Sequence, residues 1–451
     1  MASRIIDCMA ILTVAACSGA SGPPPDPNAP TWYQDVAPIV SENCSTCHSA
    51  GGIAQTVPMD TYEHVTYLAG FMAEAVATRQ MPPFKAQETD ECSYDYPWKH
   101  DPRLTEEEIS TIVAWANGGA PEGDASDPAP LIEPPDYHLT DVDQVLSHPT
   151  GYPTPKVGLE DDYVCFVLDP GLTEDAFLEA IEIVPDQVAV DHHALVFIDE
   201  DGDSEALMNE NGWYSCLGGA GVDAQLIAGW APGAAPLIMP QGSGARVSPE
   251  SRLVLQMHYH YVDEVQRLDS TALHVRWAQE VPDNEAFMTL LGNARNEARG
   301  LMPGPNDRFG EPEFFIPAGV KDHTETMKVT LDGDKDYQVF MVMNHMHYIG
   351  VDMRVWVERA SGGDDTCLCH TPQWDFDWQL LYQYDADSDQ APVIYAGDTV
   401  WIQCVYDNTL DNPGVLASLV ETGGTEPVDV GIGEGSLDEM CLVGLGLVPK
   451  M

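Results

Sequence analysis

The chain has 451 residues, too many for one hydrophobic core, and about 150 residues per domain predicts roughly three domains. Its 19 Lys and Arg face 73 Asp and Glu, for a formal net charge of −54. Such a charge argues against nucleic acid or an anionic membrane surface as a partner, and it disfavours anionic reductants. We interpret it mainly as an adaptation for solubility.

The N-terminus has the pattern of an export signal. Arg4 precedes a short apolar stretch over residues 5–16, and "VAAC" ends at Cys17. Small residues before a cysteine predict a lipoprotein signal over residues 1–17 with Cys17 lipidated, followed by a linker over 18–30. Asp7 interrupts the apolar stretch, so an ordinary cleaved signal is the alternative. Either signal predicts a bacterial periplasmic protein or an outer-membrane-tethered lipoprotein, in which disulfides can form.

Residues 31–120 have a helical pattern that surrounds a haem-attachment motif. Asp60 and Glu63 predict one capping box, Thr105 and Glu108 predict a second, and Gly118 should end the second helix. The motif is "CSTCH", in which Cys44 and Cys47 would bond the haem covalently and His48 would bind its iron; a chance disulfide or redox pair is the alternative. The sequence thus predicts an all-α cytochrome c-like domain.

Met81 is the best candidate for the second axial ligand of the haem iron. It precedes two prolines, which predict a stiff loop, whereas Met72 fits the core of a helix. The later "CLCH" at 367–370 has one residue between its cysteines and is rejected as a second haem motif. A Pro- and Asp-rich linker over 121–135 should end the haem domain.

From residue 136 onward the sequence consists of short β-rich runs separated by turn residues. They predict two antiparallel β-sandwich (jelly-roll-like) domains, over 136–282 and 283–451. No long helix is expected after residue 185.

Histidine pairs on these strands are candidate metal ligands. Adjacent strand residues point to opposite faces, so His192 and His193 can share a metal only at a strand end or a bulge. His345 and His347 are two residues apart and share a face more easily. One lone histidine would more often be an ordinary polar residue, but two pairs with a nearby His258 make that interpretation less probable.

The available donors favour copper over other metals. Imidazole suits Zn, Cu, Fe and Ni, while the thioether of Met440 is a soft donor that selects Cu(I). A three-histidine site beside a two-histidine, one-methionine site therefore indicates copper. A redox metal would also give the haem a centre to reduce.

The order of these motifs over residues 136–451 resembles the copper type II monooxygenases, the family of peptidylglycine α-hydroxylating monooxygenase and dopamine β-monooxygenase. "DHHALVF", "RLVLQMHYH", "NHMHYIG" and "GEGSLDEMCLV" match its motifs in the family order. The resemblance implies one copper in each sandwich, facing across a solvent-filled cleft. It also implies O2 as co-substrate and hydroxylation of a C–H bond.

The resemblance also assigns individual residues. One copper would be held by His192, His193 and His258, and the O2-binding copper by His345, His347 and Met440. Gln256 would stand near the first copper. His260 falls outside the pattern, as a residue that either supports the copper ligands or is structural. The implied disulfides are Cys165–Cys216 and Cys404–Cys441, while Cys92, Cys367 and Cys369 are left unassigned.

The sequence departs from the peptide-hydroxylating members where they bind the peptide carboxylate. Met343, Leu442 and Gly444 stand at those positions and cannot form a charge-assisted clamp. The sequence therefore predicts a neutral or partly apolar small-molecule substrate and an external electron donor, either a protein carrier that acts through the haem or an ascorbate-like reductant. The competing function is a non-enzymatic haem and copper electron-transfer or copper-binding surface protein.

Overall fold

The computed structural model describes residues 26–50, 52–93, 96–154, 162–259, 265–386, 390–433, 435 and 437–450. The signal over residues 1–17 with Cys17, the first part of the 18–30 linker, and His260 lie outside these residues. Within them, no helix is long and apolar enough to cross a membrane.

The described residues form five short α-helices. In chain order they are α1 Ala37–Asn43, α2 Tyr62–Thr66, α3 Ala69–Ala77, α4 Glu106–Asn117 and α5 Pro413–Thr422, with a π-helical turn at Trp32–Val36 and 3-10 turns at Asp203–Leu207 and Glu297–Arg299. The capping box of α4 is confirmed: Thr105 Oγ1 accepts from Glu108 N at 3.3 Å, and Glu108 Oε2 accepts from Thr105 N at 2.7 Å. The capping box predicted for α2 is wrong, because Thr61 caps that helix.

Within the described residues, strands make up 34% and helices only 14%, which overturns the predicted all-α cytochrome domain at the N-terminus. The helices between residues 31 and 120 have 5 to 12 residues, and no helix lies between Ala77 and Glu106 in the described part of that stretch. Phe84, Ala86 and Trp98 pack instead into the core of the C-terminal β region. The prediction of an all-α unit is therefore wrong, because this extended segment packs against the C-terminal β region.

Twenty-four strands follow. They are β1 Gln144–Ser147, β2 Tyr152–Pro153, β3 Asp162–Leu168, β4 Ala176–Val184, β5 Asp191–Asp199, β6 Trp213–Ser215, β7 Gln225–Trp230, β8 Leu237–Ile238, β9 Ser243–Val247, β10 Arg252–Tyr259, β11 Leu268–Asp269, β12 Ala272–Trp277, β13 Asn284–Glu285, β14 Phe287–Gly292, β15 Phe315–Ile316, β16 His323–Thr330, β17 Asp336–His345, β18 Gly350–Glu358, β19 Thr366–Thr371, β20 Tyr382–Gln383, β21 Val393–Ile394, β22 Thr399–Tyr406, β23 Val430–Gly431 and β24 Leu442–Lys450.

Most of the strands before residue 286 form two sheets that enclose one core, and β2 and β11 form a separate two-stranded sheet. The sheets have the orders β1-β12-β4-β9-β13, with β8 beside β4, and β6-β3-β10-β5-β7. Pairing is antiparallel except between β9 and β13, which run parallel. Residues of β4 and β12 from one sheet and of β5 and β10 from the other share the same hydrophobic cluster. The histidines of the first candidate site lie on β5 and β10.

The strands after residue 286 form a second pair of sheets, ordered β14-β24-β17-β20, with β21 beside β17, and β16-β22-β18-β19. Phe340, Met341 and Met343 of β17 extend into the core of the preceding region. Gln383 Nε2 also donates to Pro236 O at 2.9 Å, across the two regions. The two β regions are thus in direct contact. Helix α5, which the sequence analysis did not expect, starts at Pro413 after the capping residue Asn412.

Candidate metal centres

A β-bulge brings His192, His193 and His258 together. His193 pairs with His258 across β5 and β10, but Tyr259 pairs with Asp191, so His192 is the extra residue in the register. The bulge removes the alternation that would send adjacent side chains to opposite faces. It is the geometry that two neighbouring histidines need in order to reach one metal.

The Nδ1 atoms of these three histidines converge. His192 Nδ1 lies 3.0 Å from His193 Nδ1 and 3.1 Å from His258 Nδ1, and the third distance is 3.3 Å. Tetrahedral ligands at about 2.0–2.1 Å from a metal would be about 3.3 Å apart. Three imidazole nitrogens directed at one point suit a cation better than mutual hydrogen bonding, since each neutral ring carries one proton. The trio therefore fits a metal ion.

His258 is held by an aromatic neighbour that the sequence analysis missed. The Tyr163 ring stacks on the His258 ring with 4.2 Å between the ring centres and 7° between the planes. Tyr163 lies opposite His258 in the pairing of β3 with β10. A strand tyrosine carries no sequence signal for this role, because the contact depends on which strands are neighbours.

The second pair, His345 and His347, lies at the end of β17 and in the turn that follows. His345 Nδ1 is 2.6 Å from Gln379 Oε1, and His347 Nδ1 is 3.0 Å from the Asp438 carbonyl oxygen. Both oxygens accept, so each Nδ1 carries the proton and each Nε2 is left as a possible metal ligand. The ring centres are 5.1 Å apart.

Burial keeps both of these histidines neutral. Burial, together with the neighbouring His347, lowers the pKa of His345 to about 3. Burial also lowers the pKa of His347 to about 4. Because a metal binds the neutral imidazole, neither ring has to lose a proton near neutral pH before it can act as a ligand.

Glu439 connects the histidine turn to Met440, and sequence reasoning missed it. Its buried carboxylate accepts hydrogen bonds from the backbone N–H groups of His347 at 2.8 Å, Ile349 at 2.9 Å and Met440 at 3.1 Å. Burial raises the pKa of Glu439 to about 8, and these donors oppose the shift. Tyr406 Oη also donates to Met440 O at 2.7 Å. The backbone of the partly buried Met440 is therefore fixed beside the turn.

Three disulfides are present. Cys165–Cys216 and Cys404–Cys441 are the pairs that the resemblance implied, and Cys441 directly follows Met440. The third, Cys92–Cys367, joins the extended N-terminal segment to β19. Cys369 belongs to none of them.

The haem-attachment motif lies at the end of α1. Cys44 and Cys47 are in no disulfide, and burial raises the pKa of both thiols, that of Cys44 to about 12. His48 Nδ1 is 2.8 Å from the Val57 carbonyl oxygen, which accepts its proton and leaves Nε2 for an iron. These residues fit a covalently attached haem. Met81, the predicted axial ligand, is 38% exposed and lines a surface hollow with Val76 and Phe84.

Gln256 lies on β10, two residues before His258. Its side-chain amide donates to Gly219 O at 2.9 Å and more weakly to Cys216 O at 3.4 Å. These bonds support the loop that carries the Cys165–Cys216 disulfide. The role near the first metal stays a prediction.

The substrate-clamp positions form an apolar patch beside the second histidine pair. Leu442 pairs with His345, and Met343 pairs with Gly444, in the antiparallel contact of β17 with β24. A side chain at Gly444 would begin 3.1 Å from the Met343 Cε atom. The patch therefore presents no cation to a carboxylate.

The six-residue turn Trp374–Gln379, which we call the bridging turn, reaches both histidine groups. The Phe376 ring centre is 6.0 Å from that of His192 and 6.2 Å from that of His347. The distance between the ring centres of His192 and His347 therefore cannot exceed the sum of these two distances. Phe376 thus approaches one histidine of each group.

No family model matches the chain. Solved structures give weak similarities: a Paenibacillus xanthan lyase (14% identity, 70% of this chain, TM-score 0.17), the infectious bursal virus-derived T=1 particle (8% identity, 70% of this chain and 78% of that one, TM-score 0.17) and PNGF-II (9% identity, 66% of this chain and 59% of that one, TM-score 0.20). The chain spans 28% of the length of the xanthan lyase chain.

Proposed function

We propose that this protein is a copper-dependent monooxygenase that hydroxylates a C–H bond of a small organic molecule with O2. The observation that carries the proposal is the presence of two unlike donor sets. One offers three Nδ1 atoms within 3.3 Å of one another. The other offers two histidine Nε2 atoms and Met440, whose backbone Glu439 ties to the histidine turn. A zinc hydrolase would make little use of the methionine.

Copper, when bound at these residues, supplies one-electron redox chemistry and the activation of O2. The residues of the chain position and protect it. The outer hydrogen bonds of His345 and His347 fix their tautomers, and burial keeps both rings neutral. Phe376 contributes an apolar surface beside both groups and limits water between them.

The haem motif supplies the proposed route for electrons. Cys44, Cys47 and His48 would hold a c-type haem, which is an electron carrier suited to an external protein donor. The extended segment after the helices lies against the C-terminal β region, where Lys85 Nζ is 3.5 Å from Asp375 Oδ2 in the bridging turn. The strong negative charge disfavours ascorbate as the direct donor. The three disulfides are compatible with the proposed export to an oxidising compartment.

The apolar patch at Met343, Leu442 and Gly444 favours a neutral or partly apolar substrate. We expect no useful turnover of a glycine-extended peptide, because Met343, Leu442 and Gly444 offer no cation to bind its carboxylate. Product analysis after incubation of the copper-loaded protein with such a peptide and a reductant checks this expectation.

The test of the function is substrate-dependent O2 uptake across a panel of neutral small molecules, with ¹⁸O2 to detect oxygen incorporated into product. Met440→Ile should abolish incorporation while one copper remains bound, because it removes the soft ligand. Met302→Ile is the matched control, since Met302 is partly buried like Met440 but belongs to neither histidine group. O2 uptake without labelled product would favour the electron-transfer protein instead. Full incorporation by Met440→Ile would remove Met440 from the mechanism.

A further inference from the structure

We propose that the bridging turn positions one histidine at each of the two metal sites, with Asp377 orienting His192 and Gln379 orienting His345. The inference rests on the metal-binding half of the proposed function and adds residues that the sequence resemblance does not assign. Asp377 and Gln379, two residues apart in one turn, would each orient a metal ligand in a different β region.

Asp377 lies on the outer side of His192. His192 Nδ1 points into the histidine trio, and His192 Nε2 is 3.4 Å from Asp377 Oδ1. A carboxylate accepts the Nε2 proton, and that tautomer leaves the lone pair on Nδ1 for the metal. The side chains of His192 and Asp377 are 11% and 25% exposed, so water weakens this contact only in part. A carboxylate after β19 thus serves a ligand on β5.

Gln379 orients a histidine at the second site in the same way, but it contacts Nδ1 of His345, whereas Asp377 contacts Nε2 of His192. Its Oε1 accepts from His345 Nδ1 at 2.6 Å, which leaves Nε2 of His345 for a metal. The orientation of the amide is fixed, because Gln379 Nε2 donates to Phe376 O at 2.9 Å. The two residues therefore select different donor nitrogens at the two sites, Nδ1 for His192 and Nε2 for His345.

The bridging turn is itself held against the second site. Trp374 Nε1 donates to His347 O at 3.2 Å, and Trp378 N donates to Asp375 O at 3.0 Å. The Phe376 ring centre lies 4.4 Å from that of Tyr348. Because these contacts fix the turn, Asp377 is placed by the C-terminal β region rather than by the sheet that holds the trio. The turn thereby sets the spacing of the two sites.

Removal of an outer hydrogen-bond partner from a metal-binding histidine typically weakens metal affinity 10–100-fold. We expect Asp377→Ala to weaken the first site by about that factor and to leave the second site unchanged. Gln379→Ala should do the reverse. Asp377→Asn and Gln379→Glu keep an acceptor oxygen and should recover most of the lost affinity.

The experiment measures Cu(I) and Zn(II) affinity of the full chain by competition with a chromophoric chelator. A His347→Ala background isolates the first site, and a His193→Ala background isolates the second. Asp352→Ala is the matched control, since Asp352 Oδ1 lies 3.1 Å from His370 Nε2, an aspartate–histidine pair away from both sites. Near-ultraviolet circular dichroism of each variant verifies that it is folded.

A selective loss of affinity in Asp377→Ala, with recovery in Asp377→Asn, supports the inference. Equal affinities for Asp377→Ala and Asp352→Ala would overturn it, as would a wild-type trio that binds neither metal. Zinc makes the two proposals separable, because it needs no redox chemistry. Zinc binding that depends on Asp377, in a protein that takes up no copper, would retain the positioning role and refute the monooxygenase.

Discussion

The two candidate metal sites are built in different ways. The first is formed inside one sheet, where a bulge between β5 and β10 directs three histidine Nδ1 atoms to a point. The second is assembled from a strand end, a turn and a distant segment, which the buried Glu439 carboxylate ties together through three backbone N–H groups. Strand register brings the three ligands of the first site together, whereas the assembly of the second site depends on one carboxylate and one disulfide.

This difference predicts how substitutions at each site will affect metal binding and stability. Strand pairing distributes the support of the first site over many hydrogen bonds, so loss of one side chain should affect the metal more than the fold. In the second site the Glu439 carboxylate both places the ligands and accepts hydrogen bonds from backbone N–H groups. Its loss should therefore affect both metal binding and stability.

The largest effect is expected from Glu439→Ala. Three buried N–H groups lose their acceptor, and each unsatisfied group costs about 1–3 kcal/mol. We expect loss of the second metal and a free energy of unfolding lower by at least about 2 kcal/mol, as measured by elemental analysis and urea unfolding. Glu325→Ala is the control, since Glu325 is equally buried but pairs with His323. It should destabilise the chain while both metals stay bound, and an unaltered second site in Glu439→Ala would refute the role of Glu439.

His258→Ala should remove the first metal and leave the second. Because the strand pairing of β10 does not depend on the imidazole, stability without metal should change by only about 1 kcal/mol. His274→Ala, in the opposite sheet of the same β region, is the control. Metal content and thermal unfolding separate the outcomes, and two metals still bound by His258→Ala would break the comparison.

Removal of the Cys404–Cys441 disulfide by a double serine substitution should lower stability by about 2–4 kcal/mol. Removal of Cys92–Cys367 in the same way should cost a similar amount. Only the first change should also weaken the second metal site, because Cys441 follows Met440 directly. Chelator competition on both variants measures this, and equal affinities would show that the disulfide does not position Met440.

The smallest effect concerns Asp191, which precedes the trio. Burial, with the nearby Asp269 carboxylate, raises the pKa of Asp191 from its ordinary range to about 8. The folded state therefore favours the protonated form, and this contribution to stability is present at low pH and is lost as pH rises from about 4 to about 8.

We expect Asp191→Asn to flatten the decline in stability of the metal-free protein between about pH 5 and pH 8, by at most about 1.4 kcal/mol per pH unit. Asp398→Asn is the control, because its arginine partner and hydrogen bonds lower the pKa of Asp398 and place its effect at more acidic pH. Urea unfolding across this range measures both variants, and parallel curves for wild type and Asp191→Asn would contradict the assignment.

Features that depend on residues close together in the sequence could be predicted, whereas features that depend on long-range packing could not. Thr105 and Glu108 form their predicted capping box because both partners lie within one helical turn. The prediction of an all-α domain was wrong because no local pattern around Phe84 and Trp98 predicts that they pack against strands hundreds of residues later. Helix α5 was missed although Asn412, Pro413 and Gly423 carry ordinary helix-boundary signals.

The histidines were found from their pairing along the chain, and the groups that orient them were not. The need for a bulge at His192 and His193 followed from strand alternation alone. Asp377 and Gln379 contact these histidines only through the tertiary fold and lie outside the quoted motifs. Glu439 lies within "GEGSLDEMCLV", but its contact with the histidine turn also depends on the tertiary fold. For Gln256 the alignment predicted a place near the first metal, and its hydrogen bonds join β10 to a disulfide loop.

Metal and haem content of the copper-exposed protein tests the central claim most directly. Elemental analysis for copper and zinc, alongside the visible spectrum of the haem, should give two coppers and one haem per chain in the wild type. His258→Ala and His347→Ala should each retain one copper. No copper, stoichiometric zinc in its place, or two coppers retained by either variant would contradict the account.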